Sequence, residues 1–178
     1  MKIGLEKTLN KNNIDKMIRL YMKSINEMDT NISEKNILTF LNKIKRDNVN
    51  KGPYPDVTLF EAANRIMSDL VILFGIKQIL YGNNSKIIFP EYHVEYGNGH
   101  DQEYDIMAEH NGIKLIGEAF NVAPSFFQGK KLMSLKKLRN SKSNNNIKIL
   151  LYNSDAVDKK YVPQGQLNEY HILVNIKL

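Results

Sequence analysis

The chain has 178 residues, 42% of them hydrophobic, enough for one well-packed domain and too few for two comfortable ones. It has no cysteine, which excludes disulfides and thiolate metal sites, and the opening residues MKIGLEKTLNKNN lack the apolar core of a signal peptide, so a cytoplasmic protein is expected. The net charge of +6 is unevenly spread: Lys130, Lys131, Lys136, Lys137, Arg139, Lys142 and Lys148 follow Ala119 with no acid before Ser154, whereas Glu91, Glu95, Asp101, Glu103, Asp105 and Glu109 form a purely acidic stretch just upstream.

Residues 14 to 28 place Ile14, Met17, Ile18, Tyr21, Met22, Ile25 and Met28 at helical spacing, which predicts an amphipathic helix. A second helix is predicted from Ser33 as N-cap to about Arg46, with Ile37, Leu38, Leu41 and Ile44 turned inward. Two prolines and a glycine make Asp47 to Val57 a loop. Thr58 to Glu61 fits a capping box, and Leu59, Ala62, Ala63, Ile66, Leu70, Leu73 and Leu80 carry a long helix to Gly82, so Glu61 reads as a capping residue rather than a ligand. Its apolar run from Ile66 is broken by Asp69 and falls short of the roughly 20 residues that cross a bilayer, so no membrane span is predicted.

Lys86 to Tyr96 is β-prone, and Gly97-Asn98-Gly99 turns the chain, so strands from 86, 101 and 113 should form an antiparallel meander. Pro124 and Ser125 open a helix to about Asn140, the polar run 140–146 ends it, and 147–153 and 170–178 read as two further strands.

Within the meander, Asn111-Gly112 favours a two-residue type I′ turn with His110 and Ile113 as the first facing pair. Counting back pairs Glu109 with Lys114, Ala108 with Leu115, Met107 with Ile116, Ile106 with Gly117 and Asp105 with Glu118. Facing residues lie about 4.5 to 5.5 Å apart at Cβ, where like charges repel, and a divalent cation would make two carboxylates tolerable there. Alternation sends Tyr104, Ile106, Ala108, Leu115, Gly117 and Ala119 toward a helix, and Glu103, Asp105, Met107, Ile116, Glu118 and Phe120 to the other face. Glu103 is thereby a candidate second ligand or water-positioning group. Glu91, His93 and Glu95 lie on the preceding strand, where a turn of two or three residues leaves their face open. His93 and Glu95 with His100 form an alternative transition-metal set.

The order of a helix, a meander bearing an Asp then a Glu, a helix and a further strand resembles the core of the PD-(D/E)XK nuclease superfamily, which includes many restriction endonucleases. The resemblance spans residues 58–153, with Tyr104-Asp105 standing for the "PD" pair and Glu118-Ala119-Phe120 for the "(D/E)XK" triplet. It implies an α/β fold of the α+β type: a restriction-endonuclease-like core with a mixed central sheet and flanking helices, extended at residues 1–50 by a helical part. It also implies that Asp105 and Glu118 hold Mg²⁺ or Mn²⁺ for hydrolysis of double-stranded DNA, by a homodimer when both strands are cut. Phe120 occupies the place of the family's lysine. Some members supply a substitute from the next helix, where Lys131 lies in the stripe of Phe127, Leu135 and Leu138 that should face the sheet. Lys130, Lys136, Lys137 and Arg139 are then the candidate DNA-phosphate contacts. The alternatives are a catalytically inactive DNA-binding or assembly subunit on the same fold, and a structural protein that binds another protein.

Overall fold

A computed structural model describes residues 4–29, 34–97, 102–141 and 146–176. Six strands form one mixed sheet in chain order: β1 (Thr8–Leu9), β2 (Tyr92–Val94), β3 (Ile106–His110), β4 (Ile113–Phe120), β5 (Ile147–Asn153) and β6 (Glu169–Val174). Neighbours are antiparallel from β1 to β4 and parallel from β4 to β6. Helices α1 (Ile14–Asn26) and α3 (Leu59–Leu80) pack on one face, α4 (Phe127–Arg139) covers the other, and α2 (Ile37–Arg46) sits beside α3. The α/β class and the mixed sheet with its meander agree with the sequence expectation.

Alternation along β4 supplies both cores. Leu115 and Ala119 join Ile106, Ile149 and Leu151 beneath α1 and α3, while Ile116 and Phe120 join Leu150, Tyr152, Phe127, Leu135 and Leu138 under α4. Gly117 is required by close approach, since a Cβ there would lie 2.5 Å from Ile149 Cγ1 and 3.2 Å from Ile106 Cβ.

Several expectations change. Tyr104 packs with the α4-side core, opposite to its assigned face, because residues 102–105 bend and strand alternation begins only at Ile106. The segment from Lys86 yields a short 3-10 turn and only a three-residue strand, Pro90 having interrupted the ladder. Helix α2 is capped by Asn36, whose Oδ1 accepts the Leu38 and Thr39 N–H groups; Ser33 lies outside the described residues. No α2 residue is fully buried: Ile37, Leu38 and Leu41 are exposed, and the half-buried side is the adjoining one that carries Phe40 and Ile44. Thr58 caps α3 as expected, accepting the Glu61 N–H at 3.2 Å, while the Glu61 carboxylate pairs with Arg65.

The 47–57 loop folds back on itself through Val49 N–H to Val57 O at 2.8 Å, and its Tyr54 is buried. Tyr54 and Tyr21 hydroxyls both donate to Asp69 Oδ2, and the Gly97 N–H donates to Asp69 Oδ1 at 2.8 Å. This buried carboxylate thus joins α1, the loop, α3 and the end of β2. Burial pushes its pKa up to about 6, against the hydrogen bonds that favour the charged form. Among the described residues, no helix is long and apolar enough to cross a membrane.

Candidate functional site

The Asn111-Gly112 turn sets the β3–β4 register as predicted, from His110 opposite Ile113 to Ile106 opposite Gly117. The ladder ends there. Asp105 stands just beyond it, and its Oδ2 accepts the Ala119 N–H at 2.8 Å, while its carbonyl accepts the Glu95 N–H at 2.9 Å. The carboxylate of Asp105 therefore lies at the end of the hairpin, beside that of Glu118.

Glu118 projects from β4 under α4 and is 7% exposed. Burial and then the Asp105 charge push its carboxyl up to about 7, against the opposing pull of Lys137 and Lys130. Burial likewise raises Asp105, with the Ala119 N–H, Lys137 and Lys130 pulling it down and Glu95 adding to the rise. Lys137 Nζ stands 2.6 Å from Glu118 Oε1, yet that buried oxygen has no hydrogen bond of ordinary geometry.

The cations are not those of the helical-stripe argument. Lys131 donates to the Tyr161 hydroxyl at 2.8 Å and lies over the rings of Phe127 and Tyr161, at 5.9 and 5.4 Å. Its backbone position falls in the core-facing stripe, as inferred, but its four-carbon stem leads toward the aromatic cluster over β5 and away from the acids. Lys130 and Lys137, two helical turns apart, share the edge of α4 that borders β4. Lys137 sits 5.5 Å from the Tyr104 ring and Lys130 is 6.0 Å from that of Phe120. The seven-residue spacing was the signal available in the sequence.

Phe120 itself is a core residue, stacked at 5.7 Å on Tyr152 and 6.3 Å from Phe127. Arg139, expected to contact phosphate, is engaged at the far end of α4: its Nε and Nη2 donate to the buried Glu169 carboxylate at 2.8 and 2.9 Å, and His171 Nε2 lies 2.8 Å from Glu169 Oε1. Lys136 is exposed. Glu103 is exposed and stands beside the Tyr104 hydroxyl, whose pKa is raised to about 12 by burial first and then by Glu103. Glu103 is thus engaged with the Tyr104 hydroxyl, which also feels the Glu118 charge.

The register left open at β2 is now defined. His93 faces Met107 and Val94 faces Ile106, so Glu95, whose N–H donates to the Asp105 carbonyl, comes opposite Asp105 just past the ends of β2 and β3. Glu95 is buried and both its oxygens lie 3.0 Å from Lys7 Nζ. His93 is exposed and engaged with Thr8 Oγ1 at 3.0 Å, and His100 lies outside the described residues. Among the described residues, no group of three or more His, Cys, Asp or Glu side chains is placed to hold one metal ion.

A hard divalent cation fits the donor set that remains. Two adjoining carboxylates are oxygen ligands of the kind Mg²⁺ takes alongside water and substrate phosphate, and a cation bound there would share Glu118 with the Lys137 ammonium, 2.6 Å from its Oε1. Burial first, and neighbouring acids second, raise the proton affinity of both groups, and a bound cation would favour their charged forms. No family model, curated protein or solved structure matches this chain.

Proposed function

We propose that this chain is a metal-dependent DNA endonuclease of restriction type, with Asp105 and Glu118 holding Mg²⁺ or Mn²⁺. The observation that carries the reading is the buried carboxylate pair at the end of the β3–β4 ladder with Lys137 and Lys130 alongside. A divalent ion held there supplies a Lewis acid for the phosphoryl oxygen and a water of lowered pKa. Lys137 takes the role first assigned to Lys131, positioning the attacking water and balancing charge on the phosphate. Lys130 and Lys136 hold backbone phosphates, which gives affinity without reading sequence. The Ala119 N–H orients Asp105 toward Glu118. Cutting both strands of a duplex calls for two copies of the site, hence a homodimer.

Cleavage of duplex DNA in Mg²⁺ tests the reading. Asp105→Ala and Glu118→Ala are expected to abolish it, and Lys137→Ala to slow it about 100-fold, as for loss of a group acting on proton transfer. Lys131→Ala should stay near wild type. Cleavage unchanged by either carboxylate variant sinks the assignment.

One observation favours a second reading, a catalytically silent DNA-binding subunit: Phe120 is part of an aromatic core, and an ammonium already neutralises Glu118. Salt-sensitive DNA binding without cleavage in any divalent metal would support it.

A further inference from the structure

The outer surface of α4 carries a feature that phosphate binding leaves unused. Phe126, in helical geometry just before the first residue of α4, is 68% exposed, and Met133 is 70% exposed. At 3.6 residues per turn, Phe126, Lys130, Met133 and Lys137 fall within an arc of about 60°, so a ring, an ammonium, a thioether and a second ammonium alternate along one stripe. Lys130 and Lys137 are the two cations that act on Asp105 and Glu118, so the stripe runs along the rim of the acidic pair.

Gly129 adds an independent observation. It lies in the first turn of α4, and nothing lies within 4 Å of the position its Cβ would take. Internal packing therefore does not demand it. Gly129 lies one turn on from Phe126 and about 40° outside that arc, so it leaves bare helix surface beside the ring that suits the close approach of something from outside.

We infer that this stripe is a stacking platform for unpaired bases, and that the strand attacked reaches the site single-stranded or locally unpaired. The inference rests on the nuclease reading and replaces its intact duplex with a substrate that is unpaired at the cut. Charge complementarity selects a polyanion, since α4 carries no acid and its Lys130 and Lys136 are exposed. Intact duplex offers the stripe phosphates but no base faces. An exposed ring and thioether between ammonium groups match a strand whose bases are splayed, with phosphates on Lys130 and Lys137 and bases on Phe126 and Met133. Gly129 lets the first base approach the helix.

The test is binding of an oligonucleotide labelled with 2-aminopurine, single-stranded and as a duplex, at low salt in EDTA so that metal-dependent cleavage is halted. Wild type should bind the single strand more tightly and change its fluorescence. Phe126→Ala and Gly129→Ala should each weaken single-strand binding about tenfold, while duplex binding stays within about twofold. Gly129→Ala also guards against misfolding, because it raises helix propensity and meets no atom. Equal affinity for the two forms, with both variants silent, overturns the platform and leaves the nuclease reading intact. Failure of the carboxylate variants to affect cleavage overturns the nuclease reading and leaves this binding result untouched. Wild type that binds neither oligonucleotide but sediments with vesicles of phosphatidylserine and phosphatidylcholine overturns the inference in favour of an anionic lipid surface.

Discussion

Glu118→Gln is expected to stabilise the metal-free protein at pH 8. The Glu118 pKa rises from 4.5 to about 7 in the folded chain, chiefly through burial and then through the Asp105 charge. The folded state thus holds the proton more tightly than the unfolded state does. The corresponding stability is fully present below about pH 4.5 and is lost as the pH rises through about 7. Over that interval the loss is on the order of 3 kcal/mol, at about 1.4 kcal/mol per pKa unit. Glutamine keeps the shape and never ionises, and the ion pair with Lys137 is already contained in the shift. The variant should therefore match wild type near pH 4 and exceed it by about 3 kcal/mol at pH 8, or by roughly 6 to 12 °C in Tm for a domain of this size. Urea unfolding in EDTA, followed by far-UV circular dichroism and tyrosine fluorescence since the chain has no tryptophan, measures the difference at each pH. Saturating Mg²⁺ should then stabilise wild type and leave the variant unchanged, because a ligand that binds only the folded state adds stability by mass action. A difference that stays constant with pH, or a variant less stable than wild type at pH 8, refutes the reasoning.

Two further outcomes concern the scaffold. Gly117→Ala should destabilise by about 1 to 3 kcal/mol in the same unfolding assay, because the added methyl meets Ile149 and the Ile106 Cβ between paired strands; a neutral result would show that β4 and β5 can part without cost. Asp69 has a folded-state pKa raised from 3.8 to about 6, so its contribution is present below about pH 4 and is lost as the pH rises through about 6. Asp69→Asn should flatten that part of the stability profile relative to wild type, and an identical slope in both proteins would place the titration elsewhere.

Local signals carried far in this chain. The Asn111-Gly112 turn and period-two alternation settle the hairpin register from His110–Ile113 to Ile106–Gly117, because turn geometry and side-chain parity act over a few residues, whereas Asp105 lies beyond the ladder and is held by the Ala119 N–H. The Thr58 cap and the apolar spacing of α1 act over a similarly short range. The nuclease resemblance also rests on residues legible in order: an acid just before β3, an acid on β4 and lysines on the next helix.

What only the tertiary structure decided lies at the ends of long side chains and in pairings between distant segments. Stripe geometry placed the Lys131 backbone correctly, but Tyr161, thirty residues away, captures its ammonium, and Lys137 stands at Glu118 instead. Arg139 is taken by Glu169 from the last strand, and Glu95 faces Asp105 through a connection whose length the sequence left open. Helix α2 follows the same principle, since its amphipathic pattern predicts an inward face whereas the packing leaves Ile37, Leu38 and Leu41 outside. Periodicity tells which residues share a face; which partner that face meets is set by the sum of long-range contacts.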